Sequence, residues 1–400
     1  MLRKFVLLFL LLLSPVAFAA GNQLSQYEYK QLSGAFKLME EGSLTQARKL
    51  LKQAQPNMKS DYAKALVFQN LAQIALHSEQ FSVALKNLKQ AKVLNALPKD
   101  QQDNLDHTLG QLYCMQESWS SCIKHLKQWM AAVPGSVKPS DHLLVAQAYS
   151  QLESWKLVLP HISKAINAKK IAPQNWYQLK VVAHVRLKQW SQAAKQQQVL
   201  LRHYSDKPGE WRQLVSLQLQ AKQRKSALAT QRLGYNRKIL RKPTDYTLLA
   251  QLLMNQNIPY QAGIVLQEGM KAKVVKASVR NLRILSQAWI VAKEMDKAIG
   301  ILKRLNQIAP NEKTAAQLAQ IQIQERKWKG AEATLVKALK KSVEPAELQL
   351  MLGITRLNMK KYDAARSAFD QAGKSSKYEK TVAGWIRYLD QMNAVNELRG

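Results

Sequence analysis

The chain is short of acids. Twenty-seven Asp and Glu stand against 60 Lys and Arg, giving a formal charge of +33 at neutral pH. A surface this basic repels cationic partners and draws anionic ones. Only two cysteines occur in 400 residues, which excludes a disulfide-dense scaffold and a cysteine-built zinc site. Glycine and proline are sparse, at 15 and 12, so collagen-like and low-complexity organisation are excluded. Beyond the N-terminus no apolar run approaches the roughly 20 residues that span a bilayer.

Chemical motifs are missing as well. There is no glycine-rich phosphate loop and no nucleophile motif. Seven histidines, His77, His107, His125, His142, His161, His184 and His203, are scattered without metal-ligand spacing. Glu40-Glu41 is the one adjacent acidic pair, and it falls at a turn between helical patterns. No catalytic, cofactor-binding or metal-binding residue is therefore expected, no cofactor is required, and the chain reads as a non-enzyme.

The N-terminus reads as an export signal. Arg3 and Lys4 precede an apolar core from Phe5 to Leu13, Ser14-Pro15 breaks it, and Ala17-Phe18-Ala19 offers small residues for cleavage after Ala19. The apolar core is too short to span a bilayer, and no cysteine adjoins the site for lipidation. Residues 1–19 are thus expected to be removed, leaving a mature periplasmic protein. Its charge is uneven: Ser154 to Thr244 holds 19 basic residues and two acids, Asp206 and Glu210. Outside the cytosol that block points away from nucleic acid and toward lipid headgroups, anionic polymers or acidic proteins; a solvated surface is the alternative. Cys114 and Cys122, eight apart, would form a disulfide across one turn in an oxidising compartment, or be two small buried residues.

What is present is a recurring alanine. Ala47, Ala84, Ala193, Ala227, Ala262, Ala298, Ala331 and Ala365 recur at 33 to 38 residues or a multiple of it, and Cys122 and Val158 fill the two gaps. Around each, apolar residues recur at three and four, the helical period. The last copy shows the unit: Gly353, Tyr362, Ala365, Phe369, Ala372. Other copies read Ala35, Leu44, Ala47, Leu51, Ala54; Ala72, Phe81, Ala84, Leu88, Ala91; and Ala319, Trp328, Ala331, Leu335, Ala338. Small residues admit close helix approach, and large ones fill the wedge between hairpins.

This pattern resembles the tetratricopeptide repeat (TPR). The resemblance implies an all-α, right-handed superhelical solenoid of about ten helical hairpins over residues 20–373. Residues 374–400 add a capping helix and tail, with Val382, Trp385, Ile386 and Leu389 on one face. Two copies depart: Gln197 and Gln231 replace the large apolar residue, and Arg224 the aromatic. Trp119, Trp155, Trp190 and Trp328 share one repeat position and read as packing; Trp129, Trp176, Trp211, Trp289 and Trp385 are less constrained.

In that family the first helix of each hairpin lines a groove. Mapped here, the inward positions include Gln73, Gln111, Gln147, Gln251, Gln287 and Gln320, with Arg212, Arg280, Arg283 and Lys313 adding charge. Amides offer donors and acceptors to an extended polypeptide backbone, and the cations favour acidic segments; ordinary polar solvation is the other reading. A narrower resemblance, to exported TPR proteins beside TonB-type systems of gamma-proteobacteria, rests on Tyr246-Thr247-Leu248-Leu249-Ala250, Ile258-Pro259-Tyr260-Gln261-Ala262 and Ala364-Ala365-Arg366-Ser367-Ala368-Phe369. It implies an adaptor beside the complex that powers iron-siderophore uptake. The alternative is a binder of peptidoglycan, lipopolysaccharide or exported polysaccharide. Peripheral contact with an anionic membrane fits either.

Overall fold

A computed structural model describes residues 24–397. Among them there are 21 α-helices, two short 3-10 turns and no strand. The first twenty helices fall into consecutive pairs. These are α1 (Gln26–Glu40) with α2 (Leu44–Ala54), α3 (Asp61–His77) with α4 (Phe81–Leu94), and α5 (Lys99–Met115) with α6 (Trp119–Ala132). Next come α7 (Pro139–Gln151) with α8 (Trp155–Asn167), α9 (Gln174–Arg186) with α10 (Trp190–His203), and α11 (Pro208–Gln220) with α12 (Arg224–Asn236). The last are α13 (Pro243–Asn255) with α14 (Pro259–Lys271), α15 (Val279–Val291) with α16 (Met295–Ile308), α17 (Glu312–Gln324) with α18 (Trp328–Leu339), and α19 (Ala346–Asn358) with α20 (Tyr362–Gly373). Helix α21 (Glu379–Glu397) follows. The export signal expected over residues 1–19 lies outside the described residues.

Each pair closes by the same turn. After the first helix one residue enters the left-handed region: Gly42, Glu79, Glu117, Glu153, Lys188, Lys222, Asn257, Lys293, Arg326 and Lys360. The next amide then reaches back five residues, as in Ser118 N to Tyr113 O (2.9 Å) and Glu294 N to Trp289 O (2.8 Å). This is the left-handed helix stop that satisfies otherwise orphaned carbonyls. Helix starts are set by proline in the first turn of α7, α11, α13 and α14. Ser25, Ser60, Ser278 and Asn311 cap α1, α3, α15 and α17 through their side chains.

The recurring small residues do what the pattern requires. All eight alanines, with Cys122 and Val158, are fully buried. Glycine serves where approach is closest: a Cβ on Gly353 would lie 2.5 Å from the Phe369 ring, and one on Gly110 2.6 Å from Leu126. The chain divides into two compact units, residues 1–196 and 197–400. In each, odd helices touch odd helices of the next pair, α1 with α3 in the first, α13 with α15 and α17 with α19 in the second. Within each unit these odd helices lie together, and the even ones pack against them. In the second unit α21 lies against α20, burying Val382 and Leu389 beside Trp385 and Ile386.

Neighbouring pairs are also tied by polar links spanning about one repeat. Glu28, nearly inaccessible, accepts from Lys59 N and Ser60 N (both 3.0 Å) at the start of α3 while closing the capping box of α1. Arg48 donates to Gln80 (3.3 Å), Gln116 to Ser82 (3.3 Å), and Val343 N to Glu312 (2.6 Å). Lys327 pairs with Asp296. The two divergent copies have polar cores. Gln197 and Gln231 are fully buried; Gln197 Nε2 donates to Glu210 Oε2 (2.6 Å), and Gln231 Nε2 to Asp245 O (2.9 Å). Both Oε1 atoms lack a partner, a cost of about 1–3 kcal/mol each relative to a satisfied amide.

Candidate functional site

The groove candidates fall on odd helices in both units. In the first unit these are Gln73 on α3, Gln111 on α5 and Gln147 on α7, all half-buried. Gln73 lines a small cleft with Gln69, Asn104 and Thr108, between α3 and α5. Gln111 Nε2 lies 3.2 Å from His107 Nε2, and its Oε1 is buried with no partner. His107 in turn contacts Asp141 (2.9 Å) and stacks on Trp129 at 3.9 Å. The amide row here is woven into a polar cluster rather than left free.

The second unit holds Arg212 on α11, Gln251 on α13, Arg280, Arg283 and Gln287 on α15, and Lys313 and Gln320 on α17. Arg212 is committed internally. Its Nε and Nη2 donate to both oxygens of buried Asp245, each at 2.8 Å. Those bonds hold the guanidinium charged above its usual range, outweighing the opposing effect of burial. Arg280, Arg283 and Lys313 differ. They are exposed, and among the described residues no carboxylate lies within ion-pair distance of them. Gln287 and Gln320, also exposed, stand beside them. Three free cations and two amides thus share two consecutive odd helices.

Sequence spacing alone did not reveal the polar clusters of the first unit. Asp106 accepts from His125 Nδ1 (2.6 Å) and Lys92 (2.5 Å). Burial raises its pKa, but these two bonds and charges outweigh burial and hold it below the ordinary carboxylate range. His142 and His161 approach with Nδ1 atoms 3.3 Å apart. In both pairs the residues are 19 apart, facing positions on the two helices of one hairpin. That interval was the available signal. No group of three or more His, Cys, Asp or Glu among the described residues could hold a metal ion.

Burial first, then the charges of His142, Lys164 and Lys127, depress His161 to about 4. Burial, then Lys164, lowers His142 too, against a smaller opposing pull from Asp141. In the unfolded chain His161 takes its proton near 6.5, so it is the unfolded state that binds protons between about 6.5 and 4. Its contribution to stability is present above that window and drains away as pH falls through it. Partial exposure screens the effect to about 1 kcal/mol. Urea unfolding at pH 7.5 and pH 5 should show the wild type losing about that much more than His161→Gln; equal losses would remove the histidine pair from the account.

Four of the five less constrained tryptophans are core, and Trp385 is half-buried against α20. Trp129, Trp176, Trp211 and Trp289 are all buried. Trp289 lies over Gly263, where a Cβ would come within 2.7 Å of its ring, and Lys297 covers it at 4.6 Å. Cys114 and Cys122, on α5 and α6, have Cα atoms 5.0 Å apart and sulfurs at bonding distance, within the span a disulfide bridges.

These elements define an all-helical array of consecutive hairpins with TPR-like spacing. No family model and no curated protein matches the chain. A TPR protein from Parabacteroides merdae is 11% identical, over 66% of this chain and 99% of that one, with a TM-score of 0.36. YrrB, a TPR protein with an unusual peptide-binding site, is 14% identical over 42% and 82%, with a TM-score of 0.35. The APC/C Cut9–Hcn1 hetero-tetramer is 13% identical over 90% and 83%, at 0.29.

Proposed function

We propose that the protein is an exported, non-enzymatic adaptor that holds an acidic, extended segment of a protein partner against α15 and α17. The observation carrying this reading is the set of exposed cations Arg280, Arg283 and Lys313, free of internal carboxylates, beside Gln287 and Gln320. Cations steer and register acidic side chains. The amides supply both donors and acceptors to a backbone that needs both. Arg212 stands outside this set because Asp245 occupies it. Gln73, Gln111 and Gln147 are secondary candidates, and Gln251 flanks the cationic set.

The export-like N-terminus and the resemblance to repeat proteins beside TonB-type systems extend the reading. The partner is then a periplasmic component of an envelope complex, in the sharpest form an accessory of the machinery driving iron-siderophore uptake. Cleavage after Ala19 is part of this proposal, as is oxidation of Cys114 and Cys122. The mass of the exported chain under non-reducing conditions reads both. Binding of an anionic envelope polymer is the second reading, favoured by the basic block from Ser154 to Thr244.

Photo-crosslinking from Arg283 and Gln320 in cells, followed by identification of the captured chain, tests the adaptor role. Arg280→Glu with Arg283→Glu should weaken the captured complex at least tenfold, about 1.4 kcal/mol or more, and leave circular dichroism unchanged. Unaltered affinity, or capture of polysaccharide in place of protein, would sink the proposal.

A further inference from the structure

The turns that follow α12 and α14 are two copies of one construction. In each, a glycine carbonyl accepts two successive amides: Gly234 O from Ile239 N (2.9 Å) and Leu240 N (3.1 Å), Gly269 O from Val274 N (3.0 Å) and Val275 N (2.9 Å). Lys238 and Lys273 take the same left-handed conformation, each at φ 58°. Leu240 and Val275 are buried under the glycines, so closely that a Cβ at Gly234 or Gly269 would fall 2.7 Å from them. Both turns are therefore fixed by packing. They are also side by side, because Tyr235 Oη at the end of α12 donates to Glu268 at the end of α14 (2.9 Å).

From these two turns Arg237, Lys238, Arg241, Lys242, Lys271, Lys273 and Lys276 all project into solvent. The two acids in that stretch are already engaged, Asp245 by Arg212 and Glu268 by Tyr235. Even helices end and odd helices begin on this same edge of the second unit. The next turns along it add Ile308, 51% exposed, then Lys340, Lys341 and Val343, the last 89% exposed, beside the exposed acids Glu344 and Glu347. The opposite edge is basic too, but its bases are interleaved and paired with acids, Lys297 with Glu294 and Lys327 with Asp296, so Lys222, Lys293, Arg326 and Lys360 stand on a mixed-sign surface.

We propose that the edge carrying the paired basic turns docks on an anionic phospholipid bilayer. Cations held on rigid turns reach a charged plane together, with little ordering cost. Polybasic segments gain from such a surface roughly additively, within a Debye length of it. The aliphatic side chains choose between anionic partners. Val343 and Ile308 gain nothing beside a soluble polyanion, whereas the headgroup–acyl boundary accepts apolar side chains flanked by basic ones. Among the described residues no helix is long and apolar enough to cross a membrane, so the contact is peripheral. It leaves Arg283 and Gln320 to the groove, and it stands whether or not that groove takes an acidic segment.

Sedimentation of the full chain with phosphatidylcholine vesicles, with and without phosphatidylglycerol, is the test. The ratio of the two affinities removes any lipid binding by the apolar N-terminal run. Lys238→Asn and Lys273→Asn, which keep the left-handed turn accessible, are combined with Arg241→Gln and Lys276→Gln. At about fivefold per cation, the quadruple variant should lower the anionic-to-neutral ratio by about 600-fold. Neutralising Lys222, Lys293, Arg326 and Lys360 instead should change it far less. Val343→Ser with Ile308→Ser should weaken the binding that survives high salt. Equal losses from the two edges would reduce the effect to diffuse charge and overturn the proposal. So would a wild-type ratio near one, or heparin binding that persists where vesicle binding is absent.

Discussion

Trp289→Ala is expected to cost the second unit about 3–5 kcal/mol, the range for deleting a fully buried indole. Trp289 has no exposed surface, and it shares its cluster with Leu249, Leu253, Ala262, Leu266, Leu285 and Ala298. Its ring rests against Gly263, and Tyr260 meets it edge-on at 5.7 Å. The cavity would therefore open between α13, α14, α15 and α16, with no loop placed to collapse into it. Trp289→Phe should be milder, because it also removes an indole N–H that has no acceptor. A shift in the urea midpoint, read with an unchanged denaturant slope, measures both variants. A loss below about 1 kcal/mol for the alanine variant would mean that the hairpin repacks around the gap.

Arg212→Ala should be nearly as damaging, at about 3 kcal/mol, although Arg212 is half-exposed and Asp245 is the buried partner. Asp245 is 2% exposed and accepts from both guanidinium nitrogens and from Lys242 N. Truncating the arginine leaves a buried carboxylate with one remaining donor, and stranded buried charge is what makes broken pairs expensive. The double variant Arg212→Met, Asp245→Asn should recover much of the loss, since the asparagine Oδ1 can still accept from Lys242 N at the start of α13. If Arg212→Ala weakens partner capture while leaving the urea midpoint in place, the residue belongs to the groove after all.

The fold was legible because its constraint falls on single positions. Close approach of two helices demands a small residue, so Ala262 or Gly353 announces the hairpin without knowledge of its neighbours. The terminal helix was equally plain, since Val382, Trp385, Ile386 and Leu389 recur at helical intervals. Polar links were not legible in this way. Asp245 takes Arg212 from 33 residues upstream, and Asp141 meets His107 from 34. Neither partner is recognisable until the repeats are stacked. Arg212 therefore looked like a groove cation in the sequence, and Trp289 like an unassigned aromatic. Arg280, Arg283 and Lys313 are exposed, with no carboxylate at ion-pair distance among the described residues, although their spacing from Asp245 and Glu347 resembles that of Arg212 from Asp245. The twin turns were hidden for another reason: Gly234 and Gly269 are commonplace until the buried Leu240 and Val275 show why no side chain fits there.

The links that join several hairpins to the next have a mechanical meaning. Glu28 to Ser60, Arg48 to Gln80, Arg212 to Asp245, Tyr235 to Glu268 and Glu312 to Val343 all cross a boundary between hairpins. A pull along the chain would load such bonds in shear before any helix core is exposed. Within each unit the array is then less a string of separate springs than a chain of latched segments. Its extension under tension should come as discrete releases, each about one hairpin long.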